Sequence, residues 1–145
     1  MSETQTSSSA AWPAGLPARQ VRFARPTDRL DEIVHFYHDG LGLEQLYRFE
    51  DHDGYTGVML GLPGADYHLE FTTHDDGSPG DAPTRDNLLA FYLSTPAEVD
   101  AVVEKLGAMG YQPVEAENPF WPANGGVTIE DPDGWRIVLM PEPVF

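Results

Sequence analysis

The polar and apolar positions of this chain fall into two patterns that recur in the same order. Residues 20–25 (QVRFAR) alternate with a period of two, which predicts a short strand carrying Val21, Phe23 and Arg25 on one face. Residues 26–42 switch to a period near 3.6, with Leu30, Ile33, Val34 and Tyr37 on one side. Thr27 or Asp28 can cap that stretch and Gly40 can stop it, so a helix is predicted. Strands follow at 43–50, 55–62 and 67–73, separated by the turn sequences DHDG and PGAD. After a polar Gly/Pro linker at 74–86 the order begins again with a strand at 87–94. A second helix opens on the capping box Thr95-Pro96-Ala97-Glu98 and turns Val99, Val102, Val103 and Leu106 inward. Strands at 111–115, 126–131 and 135–140 complete the series, the last two joined by DPDG.

The chain therefore reads β-α-β-β-β twice, an internal repeat of architecture with modules at about 20–73 and 87–142. The predicted class is α+β: a tail over residues 1–18, rich in Ser, Ala, Pro and Gly, then a single domain over 19–145. Each helix must bury its apolar stripe on one face of a small mixed sheet. Leu69 and Phe71, Leu89, Phe91 and Leu93, and Ile137 and Leu139 are the expected recipients. The opposite faces are expected to line a cup: Val21, Phe23 and Arg25; His68, Glu70 and Thr72; Leu88, Ala90 and Tyr92; Arg136, Val138 and Met140.

The charge changes this picture little. With 24 Asp and Glu against 8 Lys and Arg, a net charge of −16 disfavours nucleic acid and anionic membrane as partners. It suits a cationic ligand, but a surface tuned for solubility, or a proteome with an acidic bias, is the favoured explanation. The absence of cysteine removes disulfides, thiol nucleophiles and Cys-ligated zinc. No apolar run approaches the roughly 18 residues of a membrane span, and the first twenty residues do not read as a secretory signal. A cytoplasmic location is expected.

Three motifs carry a family resemblance: FYHDGLGLE (36–44), the LEF strand (69–71) and EDPDGWRIVLM (130–140). Together with the paired β-α-β-β-β order they resemble the vicinal oxygen chelate superfamily, which holds glyoxalases, dioxygenases and bleomycin-resistance proteins, and within it the YycE-like branch. The resemblance spans residues 20–142 and implies a cupped, mixed-sheet domain. It also implies a divalent metal held by side chains from the first and last strand of each module. Carried over by position, those places fall on Val21, Glu70, Leu88 and Val138, so three of the four are apolar. Aliphatic side chains offer no lone pairs, and one carboxylate does not hold a catalytic transition metal. No metal and no other cofactor is expected.

The polar residues of the cup leave several readings open. Glu70 suits a general base, a grip on a cationic ligand, or a partner of Arg25 or Arg136, with the ion pair favoured. His68 shares its face and suits an acid/base partner or a hydrogen-bonded cup residue. The other histidines, His35, His38, His52 and His74, fall at helix, turn or linker positions and are expected to be solvated. Phe23 and Tyr92 by alternation, and Phe120 and Trp121 on the loop NPFWPANGG, suit stacking on a planar ligand. Trp121 and Trp135 suit closing the barrel edge as well. Arg25, Arg136 and Met140 complete the ligand-facing set.

Two functions are therefore expected. One is a metal-free protein of the bleomycin-resistance type that sequesters an aromatic small molecule, neutral or cationic. The other is a divergent glyoxalase- or dioxygenase-like lyase or oxidoreductase, dependent on metal or using Glu70 and His68 as catalytic residues. The resemblance also implies a homodimer.

Overall fold

The computed structural model describes residues 12–144. Of the expected tail, residues 1–11 lie outside the described residues, as does residue 145; residues 12–20 form neither helix nor strand. Module one comprises β1 (Val21–Pro26), α1 (Leu30–Val34, continuing as a π-helical turn over His35–Gly40), β2 (Glu44–His52), β3 (Tyr55–Gly61) and β4 (Tyr67–His74). Module two comprises β5 (Leu88–Tyr92), α2 (Pro96–Ala108), β6 (Pro113–Val114), α3 (Phe120–Ala123), β7 (Val127–Glu130) and β8 (Arg136–Met140). The sheets have the same plan, β1-β4-β3-β2 and β5-β8-β7-β6. In each, the first and last strands run parallel and the other neighbours antiparallel. A parallel pair needs a crossover, and α1 and α2 open those crossovers.

The two helices start differently. At α2 the predicted box forms in full: Thr95 Oγ1 accepts from the Glu98 N–H, and the Glu98 carboxylate accepts from the Thr95 N–H. At α1 neither predicted cap caps. Thr27 Oγ1 accepts from the Arg29 N–H just before the helix, and Asp28 Oδ1 accepts from the Ser78 N–H, which ties the linker to the helix start. Gly40 does not stop the helix by an unusual backbone; the positive φ belongs to Gly42, at 82°. A Cβ on Gly40 would stand 2.7 Å from Leu106 Cδ2, so this glycine lets α1 and α2 approach. The π turn brings both Phe36 and Tyr37 into the core, where the helical count expected Tyr37 alone.

One core serves both modules. Ile33, Phe36, Val58, Leu60 and Phe71 pack in the same cluster as Val99, Leu106, Ile129, Ile137 and Leu139. Each such side chain contributes about 1.5–3 kcal/mol by leaving water. A buried ionic junction crosses the same seam. Arg25 donates from Nη2 to Asp131 Oδ2 at 2.7 Å and from Nη1 to Asp133 Oδ2 at 2.8 Å. Its guanidinium lies between the rings of Phe71 and Trp135, 5.0 and 4.9 Å from their centroids. Tyr37 Oη adds a hydrogen bond to Asp131 at 2.7 Å, and Arg29 one to Asp133 at 3.0 Å. DPDG is thus more than a turn. Asp131 Oδ1 closes it on the N–H groups of Asp133 and Trp135, while its other oxygen faces module one.

Candidate functional site

The register of β1 settles which side chains face outward. Arg22 pairs with His68 and Ala24 with Glu70, while Phe23 pairs with Leu69 and Arg25 with Phe71. Side chains of paired residues share a face, so β1 runs opposite to the expected phase. Val21, Phe23 and Arg25 lie on the core side; Arg22 and Ala24 lie with His68 and Glu70. In module two the expected faces hold, with Leu88, Ala90 and Tyr92 beside Arg136, Val138 and Met140.

A polar cluster results on the outer face of module one. Arg22 Nε donates to His68 Nε2 at 3.0 Å, and Arg22 Nη1 stands 3.5 Å from Glu70 Oε2. Nη2 of the same side chain lies 3.4 Å from Met59 Sδ. Glu70 is well covered, with a side chain 12% exposed, while Arg22 keeps 44% of its side-chain surface. The expected ion pair of Glu70 exists, but its partner is Arg22 rather than Arg25 or Arg136. Arg22 and Met59 escaped the sequence reading. The signal for Arg22 was present, because Val21 and Phe23 are the apolar residues of β1 and belong with the apolar face of β4.

His68 also borders an apolar groove of about 340 Å³ between the modules. Its walls are Leu60, Leu62, Tyr67 and Leu69 from module one and Leu89 and Phe91 from module two. A volume of this order accommodates a small organic molecule, and apolar walls with a few polar groups at one end are the usual make-up of such sites.

The remaining candidates stand elsewhere. Arg25 is buried in the ionic junction. Arg136, 4% exposed, donates from Nε and Nη2 to Glu130 Oε2 and from Nη1 to the Glu115 carbonyl. Val138 and Met140 are buried against the segment carrying α3: a Cβ on Gly126 would meet Met140 Sδ at 2.6 Å and the Trp121 carbonyl at 2.9 Å. The loop expected at 118–126 contains this short helix, in which Phe120 and Trp121 make an edge contact at 5.2 Å. Phe120, Phe23 and Tyr92 are exposed. Trp121 Nε1 and Thr128 Oγ1 are buried without a hydrogen-bond partner among the described residues. Trp135 donates to the Gly80 carbonyl at 2.8 Å, in keeping with its edge-closing reading. His74 ends β4 rather than lying in the linker; it is half-buried against Tyr55.

Burial raises the Asp131 carboxyl above its usual value, against the opposing pull of Arg25 and the Tyr37 hydrogen bond. Burial, followed by the charge of Asp131, pushes the Tyr37 hydroxyl well above its ordinary value. Both groups belong to the junction, so these shifts report packing between modules and not a reacting group.

The donors at the place of the implied metal do not suit a divalent ion. His68 Nε2 and the Glu70 carboxylate both face a permanent cation, and module two brings Leu88, Ala90 and Val138. Among the described residues no three His, Asp or Glu side chains are grouped to hold a metal. Nor, among them, is any helix long and apolar enough to cross a membrane.

Comparison with known proteins accounts for the doubled plan. Residues 21–72 match the YycE-like N-terminal domain and residues 86–141 the YycE-like C-terminal domain. The protein YycE of Bacillus subtilis (strain 168) is 58% identical over 123 residues, 85% of this chain and 88% of that protein. The crystal structure of a YycE protein from Bacillus subtilis shares the fold with a TM-score of 0.87 at 51% identity, over 94% of this chain and 98% of that one. The Leishmania major glyoxalase I structure gives a TM-score of 0.67 at 21% identity, over 86% of each chain. TnmS3, an antibiotic-binding protein from Streptomyces sp. CB03234, gives 0.59 at 23% identity, over 95% of this chain and all (100%) of that one. At the identities of the last two, the likeness is one of fold. The chain belongs to the YycE-like family of the vicinal oxygen chelate superfamily.

Proposed function

We propose that this protein binds and sequesters a small aromatic molecule without a metal or other cofactor. The observation that carries this reading is the groove of about 340 Å³, apolar along its walls and bordered by His68, which accepts a hydrogen bond from Arg22. An apolar body buried there gains about 25 cal/mol per Å² removed from water. His68, the polar side chain on the border of the groove, then orients it. Antibiotic binding by TnmS3 is a precedent on the same fold, not a measure of this chain's ligand. An aromatic ligand is favoured over a strongly cationic one, because Arg22 already answers the charge of Glu70.

The enzymatic reading, with Glu70 and His68 as acid and base, has less support. His68 Nε2 accepts from Arg22, which leaves it no lone pair for a substrate proton, and the Arg22 guanidinium 3.5 Å from Glu70 Oε2 already answers that carboxylate's charge. We further propose that the protein is cytoplasmic and works as a homodimer. The edge strands β1 and β5 carry exposed Phe23 and Tyr92, and Tyr67 beside β1 is 62% exposed. Light scattering during size exclusion tests the assembly.

Binding is tested by calorimetric titration of planar aromatic antibiotics, alongside an assay for turnover of methylglyoxal with a thiol. Saturable binding weakened by Leu69→Ser, with no turnover, supports the proposal. Turnover lost in Glu70→Gln, with no ligand bound, replaces it by the enzyme.

A further inference from the structure

Glu70, the one polar residue at the four places the resemblance gives to a metal, faces a cation of the protein itself. We propose that Arg22 is the resident cation of this site, holding His68 and Glu70 as a metal would and offering its remaining N–H groups to a carboxylate on the ligand. The ligand half of this statement rests on the binding function proposed above; the resident-cation half does not.

The argument begins with hydrogen-bond chemistry. Arg22 Nε–H donates only, so His68 Nε2, 3.0 Å away, must present its lone pair. The imidazole is then held as the Nδ1–H tautomer. Its one metal-binding lone pair is spent on the guanidinium, and a second face of that guanidinium is turned to Glu70 at 3.5 Å. A metal ion would have to displace a cation already seated between its two donors. Arg22 sits directly opposite His68 in the β1–β4 register, and Ala24 leaves space above Glu70, so one side chain spans both acceptors.

The same geometry leaves donors to spare. A guanidinium carries five N–H bonds. One from Nε goes to His68; one each from Nη1 and Nη2 points to Glu70 and Met59. Two N–H bonds therefore remain beyond these three contacts, and with 44% of the side chain still open they can be offered to a carboxylate. His68 borders the apolar groove as well as the guanidinium, so it is the residue through which a carboxylate on Arg22 adjoins the groove. The formal charge of −16 opposes anions at long range, but at physiological salt that field is screened beyond about 8 Å, and short hydrogen bonds decide.

The test has two arms. In the first, naphthoate and naphthamide are titrated against the wild type and Arg22→Gln. The wild type is expected to bind naphthoate about tenfold tighter than naphthamide, and the variant to lose that preference while keeping naphthamide. Equal binding of both by the wild type overturns the carboxylate contact and leaves the binding function standing. Failure of both to bind overturns the contact and the binding function together. In the second arm, cobalt(II) is added to wild type, to Arg22→His and to Arg22→His/Glu70→Gln. Stoichiometric uptake with visible absorption is expected only in Arg22→His, where two imidazoles and a carboxylate converge. Uptake by the wild type, lost in Glu70→Gln, overturns the resident cation whatever the first arm gives, as does failure of Arg22→His to take the ion.

Discussion

Replacing Arg25 by methionine isolates the ionic junction between the modules. Methionine is long and flexible enough to keep contact with Phe71 and Trp135, so the change removes charge more than volume. Arg25 is 6% exposed, and the side chains of Asp131 and Asp133 are 0% exposed. Without the guanidinium, Asp131 keeps Tyr37 and two backbone N–H groups, and among the described residues Asp133 keeps only Arg29 outside its own turn. Two carboxylates are then buried against one cation. Stranding a charge in this way costs about 3–5 kcal/mol. For a chain of this length that corresponds to a fall in Tm of roughly 10–15 °C. The pH dependence has a definite sign. Burial already lifts the Asp131 carboxyl above 3.8 in the folded protein, with Arg25 pulling it down. A carboxyl raised on folding stabilises most below its unfolded pKa, and that contribution is lost as pH rises through the folded value. Removing Arg25 lifts it further, so proton uptake relieves the variant as pH falls. The deficit in urea unfolding, followed by far-ultraviolet circular dichroism, should therefore be largest near about pH 7 and shrink toward about pH 5. Adding Asp131→Asn should recover part of it at neutral pH. A deficit below about 1 kcal/mol, or one unchanged between those pH values, refutes the claim that this junction holds the modules by charge.

Other substitutions probe single contacts. Thr128→Val removes a buried hydroxyl that has no partner among the described residues, and is expected to leave stability unchanged or raise it by about 1 kcal/mol in urea unfolding. Gly126→Ala should cost about 1–3 kcal/mol, because its Cβ would meet the Trp121 carbonyl at 2.9 Å and backbone cannot yield cheaply. Gly40→Ala meets only flexible side-chain ends, Leu106 Cδ2 at 2.7 Å and Met109 Cε at 3.5 Å, and thermal melts should show a smaller loss than for Gly126→Ala. Thr95→Ala breaks the capping box of α2 and should cost about 1 kcal/mol, restored in part by Thr95→Ser.

The phase of β1 shows where a sequence stops determining a site. Period-two alternation gives a strand but not which face is inward, and VRFARP carries an arginine on each face. Module two escapes this ambiguity because Ile137 and Leu139 match Leu89 and Phe91, and the two apolar faces can only meet in one way. The same rule applied to module one puts Val21 and Phe23 beside Leu69 and Phe71, and Arg22 in the cup. What stood against it was Arg25, which must then be buried. Its burial is possible because Asp131 and Asp133, 106 and 108 residues away, wait on the other module. No local pattern contains that pairing. The folding of the two modules onto one core and the placing of Arg22 on the outer face of module one are thus one event: the carboxylates of DPDG hold Arg25 inward, and that fixes the arginine three residues earlier on the face of His68 and Glu70. It follows that the Arg25→Met variant should alter ligand binding through Arg22 only to the extent that β1 loses its register. A preference for naphthoate that survives in that variant, while stability falls, would show that the β1–β4 ladder alone fixes the register.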